Sequence, residues 1–404
     1  MLNYDEAFDL IVNEFLLLPR NISEVDILNA PGLTLAEDIY ADVDLPAFDY
    51  SGMDGFAIKY SENNNNKWNI AGEISAGNFK EYHLDKLSAV RIMTGGRIPS
   101  SANTVIPVED VIESEHIVTL RKDIEIKQYQ NIRFKGEDLK AGSIAIPSGT
   151  KVTPHNISLA AACGRTKLKV YQKLAIGVLA TGDELVDISE FPGEDKVRAS
   201  NPFSLLASID EIKLHPVNLG IVKDKTELLK NAVTSFLSSD IDILLTTGGV
   251  SVGKYDYLKD VFNESGIETI FWRVNIKPGK PLFFGKYIKG NKIKLVFGLP
   301  GNPVSSFVNF IVFIKPAIQK YYGDESFDYY PAVLKSTINK QDSKRHFVRG
   351  QMSYDPKTKN YYVNESGSTS SGNLAGLGIS NCLIVIPEDI INLDPGDMVE
   401  CIKI

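Results

Sequence analysis

Between Lys173 and about Tyr322 the chain alternates apolar, strand-like runs with helix-like ones, and few folds accept that pattern. Leu174 to Ala180, Val217 to Val222 and Ile241 to Thr246 read as buried strands. Glu268 to Ile276, Leu282 to Tyr287 and Lys294 to Phe297 read as further strands. Helices are predicted over Asn201 to Ile212, Lys225 to Leu237, Asp256 to Ser265 and Asn302 to Tyr322. Asn201 and Asp224 are read as N-caps, with Pro202 and Pro303 at first helical positions. Strands and helices in this order predict a doubly wound α/β domain with a largely parallel sheet.

The flanking segments have another texture. Asn3 and Glu6 stand at capping-box spacing before a helix whose apolar face is Ala7, Phe8, Ile11, Val12 and Phe15, ended by Pro19. From Ala41 to about Lys140, short β-like runs alternate with turn clusters: Phe56–Lys59, Trp68–Ala71, Ala89–Met93, Thr104–Val108, Ile117–Leu120 and Ile124–Lys127. Thr153 and Pro154 open a short helix ending near Gly164. After Pro331 the texture is β again, and no internal repeat occurs. The expected architecture is multidomain α/β and β. An N-terminal/linker domain (1–41 and 140–172, dimerisation) brackets an inserted mostly-β domain (42–139). A central doubly wound α/β domain (173–323) and a C-terminal β-barrel-like domain (324–404) follow.

Composition narrows the function. The 43 Lys and Arg against 51 Asp and Glu leave a net charge of −8, which argues against a nucleic-acid or anionic-membrane partner. A small anion in a locally basic pocket remains compatible with it. Three cysteines without a CxxC pair, and five scattered histidines without HExxH, give no zinc or iron–sulfur signature. No apolar stretch reaches the length of a membrane span, and the N-terminus lacks a leader pattern. The reading is a cytoplasmic protein.

Three loops of the α/β segment share one design: each follows a strand and is glycine-rich. They are Thr181-Gly182-Asp183-Glu184, the run from Thr246 through Gly248, Gly249 and Ser251 to Gly253, and Gly298 to Pro303 with Pro300 and Asn302. Such loops meet at the carboxyl edge of an open sheet, where ligands bind. Glycines there admit backbone N–H groups close to an anion. Lys277-Pro278-Gly279-Lys280-Pro281 adds two ammonium groups on a proline-stiffened turn. A helix N-terminus contributes only about 0.3–1 kcal/mol to anion binding, whereas a micromolar ligand needs about 8 kcal/mol. Paired lysines supplement it. Glu184, Asp224 and Asp256 are carboxylates at loop positions; they suit Mg²⁺ bridging to phosphate, although Asp224 and Asp256 read equally well as helix caps. Asp54-Gly55 and the Thr94-Gly95-Gly96-Arg97 run, taken alone, read as hairpin turns.

Together these strings resemble the MoeA family, the molybdopterin molybdenumtransferases, whose fold also forms the C-terminal domain of gephyrin. The resemblance spans nearly the whole chain. It rests on PAFDYSGMDGFA (Pro46 to Ala57), TGDEL (Thr181 to Leu185), TGGVSVGKYDY (Thr247 to Tyr257), KPGKP (Lys277 to Pro281) and LPGNPVS (Leu299 to Ser305). TGDEL and the glycine-pair loop are shared with MogA- and CinA-type domains; the other strings are specific. The resemblance implies insertion of molybdate into adenylylated molybdopterin with release of AMP, Mg²⁺ dependence, and a homodimer. MogA-like adenylyltransferase and molybdoenzyme acceptors would be further partners. It implies that Lys277 and Lys280 hold oxyanion, that Glu184, Asp224 and Asp256 bind Mg²⁺ (Glu184 and Asp256 foremost) or orient nucleotide, and that Gly248, Gly249 and Ser251 cradle phosphate. Pro300, Asn302 and Ser371 would line the pocket, and Asp54 and Thr94 would act from the partner subunit. The chain departs from the family at Gly96 and Arg97, where Ala and Pro are usual. The competing readings are a MogA- or CinA-like nucleotide-processing enzyme, which would lack the inserted domain, and a gephyrin-like scaffold without catalysis.

Overall fold

The computed structural model describes residues 1–62, 66–249, 257–324, 329–367 and 372–404. Helix α1 (Tyr4–Leu16) begins on the Asn3/Glu6 capping box, with Glu6 N donating to Asn3 Oδ1 at 2.8 Å and Asn3 N to Glu6 Oε2 at 3.0 Å. Its buried face (Tyr4, Ala7, Ile11, Val12, Phe15) joins the core of the α/β domain and packs beside the helix Lys315–Tyr321. Residues from Ala30 to Ile39 and from Ile146 to Val170 form a separate small core; there Ile22–Asp26 pairs antiparallel with Lys167–Tyr171. Helix α2 (Pro154–Ala162) belongs to this unit and is capped by Thr153, as read from the sequence.

The inserted unit is a six-stranded sheet: β1 (Gly55–Ile58), β2 (Lys67–Ile74), β3 (Ser88–Ile92), β4 (Thr104–Pro107), β5 (Val111–Ser114) and β6 (Ile117–Leu120), in spatial order β4-β1-β3-β2-β6-β5. Residues 124–127 are outside any strand. Gly96 cannot accept a side chain without a shift: a Cβ would lie 2.8 Å from the Met93 carbonyl and 2.9 Å from Ile92 Cγ1. Arg97 lays its guanidinium over Phe79, 4.6 Å from the ring centre.

The α/β domain contains β7 (Ala175–Thr181), α3 (Asn201–Glu211), β8 (His215–Val222), α4 (Thr226–Ser238), β9 (Ile243–Thr247) and α5 (Tyr257–Glu264). It continues with β10 (Glu268–Arg273), β11 (Ile276–Lys277), β12 (Pro281–Lys289), β13 (Lys292–Leu299), α6 (Pro303–Asn309), a π turn (Phe310–Ile314) and α7 (Lys315–Tyr321). Its sheet runs β8-β7-β9-β13-β12-β10; the first four strands are parallel, β12 runs against them, and the edge strand β10 is antiparallel to β12. One face is covered by α1, α3, α6 and α7, the other by α4 and α5. This is the doubly wound arrangement.

Two cap assignments need correction. Ser200 occupies the N-cap of α3, and Asn201 uses its side chain to reach Gly301 instead. Lys225, not Asp224, stands at the N-cap of α4, with no side-chain cap bond. That frees the Asp224 carboxylate from a structural duty.

The last unit comprises β14 (Tyr329–Leu334), β15 (Arg345–Asp355), β16 (Asn360–Glu365), α8 (Leu374–Gly378), β17 (Cys382–Ile386) and β18 (Met398–Lys403). The strands β15-β16-β14-β18-β17 close into a barrel because β15 pairs with both β16 and β17. Strand β11 joins it in parallel, Ile276 opposite Arg345 and Lys277 opposite His346. The lysine loop is thereby shared between the α/β domain and the barrel.

Candidate active site

The three glycine loops meet at the carboxyl ends of β7, β9 and β13. Gly248 N donates to the Leu299 carbonyl at 3.0 Å, and Asn201 Nδ2 to the Gly301 carbonyl at 2.8 Å. Gly248 has φ +98°, and a Cβ there would lie 2.3 Å from the Thr181 carbonyl, so only glycine lets these strand ends approach. Beside the junction is a cavity of about 260 Å³ lined by Thr181, Glu184, Thr247, Gly301, Pro303 and Leu374. Leu374 comes from the barrel unit and closes one side. The hydroxyls of Thr181 and Thr246 are buried without a hydrogen-bond partner among the described residues. Pro300 is buried behind the junction. Asn302 caps α6, its Oδ1 accepting from Ser305 N at 3.3 Å.

The same edge is acidic. Asp224 is held above the usual carboxylate range by burial, and then by the charges of Asp183 and Glu184, with Lys223 opposing. Lys223 spends its hydrogen bonds on carbonyls, reaching Asp183 O at 3.1 Å and Leu185 O at 2.8 Å. Lys223 thus offsets only part of the acidic charge, and oxygen donors of this kind suit a hard divalent cation. Among the described residues no three His, Cys, Asp or Glu side chains are spaced to enclose a metal ion unaided. Asp256, Ser251 and Ser371 lie outside the described residues.

A second cavity, of about 270 Å³, opens between the lysine loop and the barrel. Its lining includes Lys277, Val304, His346, Arg349, Glu365 and Ser366. Pro303 borders the first cavity and Val304 the second, so the first turn of α6 stands between them. Arg349 is only 5% exposed and donates to the Asn373 carbonyl. Burial raises the Glu365 carboxyl, and Arg349 partly offsets this. Ser366 Oγ is buried with no partner among the described residues. Lys277 lines this cavity, whereas Lys280, also exposed, borders neither.

Asn309, buried in α6, fixes the lysine loop: its Nδ2 donates to the Gly279 carbonyl at 3.2 Å. Gly279 has φ +101°, and a Cβ there would meet the Asn309 amide at 2.7 Å. The loop is locked against α6 on one side and the barrel on the other. Asp54 and Thr94 sit together in the inserted unit. Thr94 N and Oγ1 both donate to Asp54 Oδ1 at 2.7 Å, and these bonds hold the Asp54 carboxyl below its usual range. Neither residue lines either cavity.

Comparison with known proteins decides the family. The MoeA N-terminal region (domain I and II) matches residues 2–164, a probable molybdopterin binding domain matches 177–320, and the MoeA C-terminal region (domain IV) matches 331–404. This chain belongs to the MoeA family. It is 32% identical over 411 residues to the molybdopterin molybdenumtransferase of Haemophilus influenzae, covering 99% of this chain and 98% of that protein. It is 31% identical over 409 residues to that of Staphylococcus aureus strain COL, covering 98% and 94%. A crystal structure of the molybdopterin biosynthesis MoeA protein from Pyrococcus horikoshii superposes with TM-score 0.85 at 28% identity over the full length of both chains. MoeA membership places the chain in molybdenum cofactor biosynthesis, in agreement with the sequence resemblance. Sequence reading missed Arg349, His346, Ser366 and Asn309. Arg349 and His346 stand in a basic stretch, Lys344-Arg345-His346 with Arg349, which was the available signal. Asn309 gave none.

Proposed function

We propose that this chain inserts molybdate into adenylylated molybdopterin and releases AMP, giving the molybdenum cofactor. The observation that carries the reading is the pair of cavities on either side of the first turn of α6. One is glycine-lined with acidic neighbours; the other is cationic. A pterin pyrophosphate needs backbone donors and counter-charge, and molybdate, a tetrahedral dianion, needs rigid cations. In this reading Lys277 and Arg349 hold molybdate oxygens, and Lys280 attracts the anion from the rim. Gly248, Gly249, Ser251 and the Thr181 hydroxyl receive phosphate oxygens. Ser371 and Asn302 border the bound substrate.

Glu184, Asp224 and Asp256 would hold Mg²⁺ together with phosphate oxygens. The cation would supply charge neutralisation at the phosphoryl group. The protein's own part is positioning: it brings the dithiolene sulfurs and the oxyanion together across one helical turn. A homodimer would bring the partner's inserted unit to this cleft. Among the described residues no helix is long and apolar enough to cross a membrane, and all three cysteines are free; we assign the protein to the cytoplasm.

The experiment is incubation with adenylylated molybdopterin, molybdate and Mg²⁺, reading AMP release and protein-bound molybdenum. Lys277→Ala is expected to lower the single-turnover rate at least about tenfold, equivalent to about 1.4 kcal/mol of barrier. Unchanged rates would remove the lysine loop from the reaction. ATP consumption with adenylylation of molybdopterin would favour a MogA-like activity instead.

A further inference from the structure

One residue lining the cationic cavity, His346, belongs to a titratable couple to which oxyanion binding gives no task. His346 lines the cavity and stands opposite Lys277 in the β11–β15 register. Its Nε2 lies 2.7 Å from Asp342 Oδ1, the imidazole's only hydrogen bond among the described residues. Asp342 is itself held by Lys344, through N at 3.1 Å and Nζ at 2.8 Å. A carboxylate accepts and does not donate, so neutral His346 carries its hydrogen on Nε2 and keeps the lone pair on Nδ1. That is the geometry of a general base oriented by an acid.

The reaction requires such a group. Joining molybdate to a dithiol forms two Mo–S bonds and breaks one Mo–O bond. The two thiol protons leave with that oxygen as one water, and molybdenum keeps its oxidation state, so no oxidant or reductant enters. Lys277 and Arg349 are placed on the molybdate oxygens in the proposed reading, so the proton relay falls to another side chain lining the cavity. Resting on the function proposed above, we propose that His346 is a catalytic residue that takes a thiol proton at Nδ1 and delivers it to the departing molybdate oxygen, with Asp342 as its positioning residue.

The surroundings set the titration. Burial lowers the His346 pKa, the Asp342 hydrogen bond and charge raise it, and Lys277 and Lys340 lower it again. Burial pushes Asp342 up, but its bonds to Lys344 and His346 outweigh this and leave it well below the carboxylate range. Lys340 is committed to the carbonyls of Lys344, Pro387 and Glu388. Arg349, on the same strand, and Glu365 also line the cavity. His346 is thus neutral and able to accept a proton near pH 7.

The test is single-turnover molybdenum insertion by the full-length protein across about pH 5.5 to 8.5. Wild type is expected to gain rate with pH along an acid limb. His346→Gln is expected to lose at least about tenfold in rate, to lack that limb, and to keep its KM for molybdate within about threefold; added imidazole is expected to restore part of the rate. Asp342→Asn is expected to move the limb to lower pH, because the carboxylate raises the His346 pKa. An unaltered rate and profile in His346→Gln overturns the proposal. So does a loss confined to KM, which would make His346 an anion contact only. Should His346→Gln not fold by circular dichroism, the Asp342→Asn limb decides, and an unmoved limb overturns the proposal. A folded wild type that inserts no molybdenum overturns the parent function along with this one.

Discussion

At the scale of single residues, the acidic edge and one buried lysine show how charge is placed. Asp224 is neither a cap nor ion-paired to Lys223, and Asp183 and Glu184 raise it by repulsion after burial does. A carboxyl whose folded pKa exceeds its unfolded value costs stability once ionised. The folded state binds more protons, so stability falls as pH rises from the unfolded pKa through the folded one. Asp224→Asn is therefore expected to raise the thermal midpoint at neutral pH, with the gain vanishing near pH 4. If Mg²⁺ binds this edge as proposed, it is expected to stabilise wild type and to stabilise the variant less. Differential scanning calorimetry with and without Mg²⁺ reads both, and a variant less stable than wild type at pH 7 would contradict the argument. Lys294 shows the opposite placement. It is 1% exposed, and its Nζ reaches the carbonyls of Phe236, Ser239 and Ile241 at 2.8, 2.8 and 2.6 Å. It thus closes the C-terminal end of α4, where a cation is favoured. Lys294→Met strands these carbonyls and is expected to cost about 1–3 kcal/mol in urea unfolding. Burial draws the Lys294 pKa down to about 8, so wild-type stability climbs between that value and the unfolded one; the variant lacks that increment. Gly96 belongs at this scale too. The sequence showed a departure from the family, but only the Met93 carbonyl and Ile92 beside it explain why alanine does not fit.

At the scale of elements, what the sequence disclosed was local chemistry. The Asn3/Glu6 box, Thr153-Pro154 and Asn302-Pro303 all start helices as read, because a cap and a first-position proline act within one turn. Asp224 was misread because a carboxylate before a helix has the same signature whether or not it bends back to cap it. The apolar run Phe-Ile-Val-Phe-Ile continues a helix pattern, but Pro316 after it has no N–H for the Val312 carbonyl four residues earlier, and that is the sequence mark of the π turn at Phe310–Ile314. Tertiary contact adds to it: Tyr4 OH donates to the same Val312 carbonyl at 2.9 Å, deep between α1 and the helix. The two-residue strand β11 was absorbed into a longer predicted strand because its partner, β15, lies some seventy residues away. Tyr4→Phe removes the donor and leaves a buried acceptor. It is expected to lower stability by about 1–3 kcal/mol and to raise amide exchange in 310–321 more than in β7 or β9. Uniform exchange changes across the domain would mean that Tyr4 does not support the π turn specifically.

At the scale of the whole molecule, the described contacts leave Asp54 and Thr94 apart from the other residues of the proposed site. The barrel reaches the α/β domain directly: β11 enters its sheet and Leu374 closes the first cavity. Arg345 adds a tie to α1, with Nη1 and Nη2 each 2.9 Å from an Asp5 oxygen and Nε 3.1 Å from Glu388. The inserted sheet makes no such contribution to either cavity, although Asp54 is held by two Thr94 donors in an ordered, exposed position. A carboxylate fixed this firmly and left facing solvent fits a site completed by a second copy. Apolar side chains on the linker unit are also uncovered, Leu28 at 77% and Ile22 at 53% exposed, a feature that a subunit contact would remove. Sedimentation at micromolar concentration is expected to give a dimer. Asp54→Asn and Lys277→Ala homodimers are each expected to be nearly inactive. If Asp54 acts across the interface, each mixed dimer carries one site with both defects and one with neither. Subunit exchange to a statistical mixture should then restore about a quarter of wild-type activity. If Asp54 and Lys277 serve the same subunit's site, every site in the mixture keeps one defect and mixing restores nothing. With both homodimers nearly inactive, recovery therefore separates the two geometries.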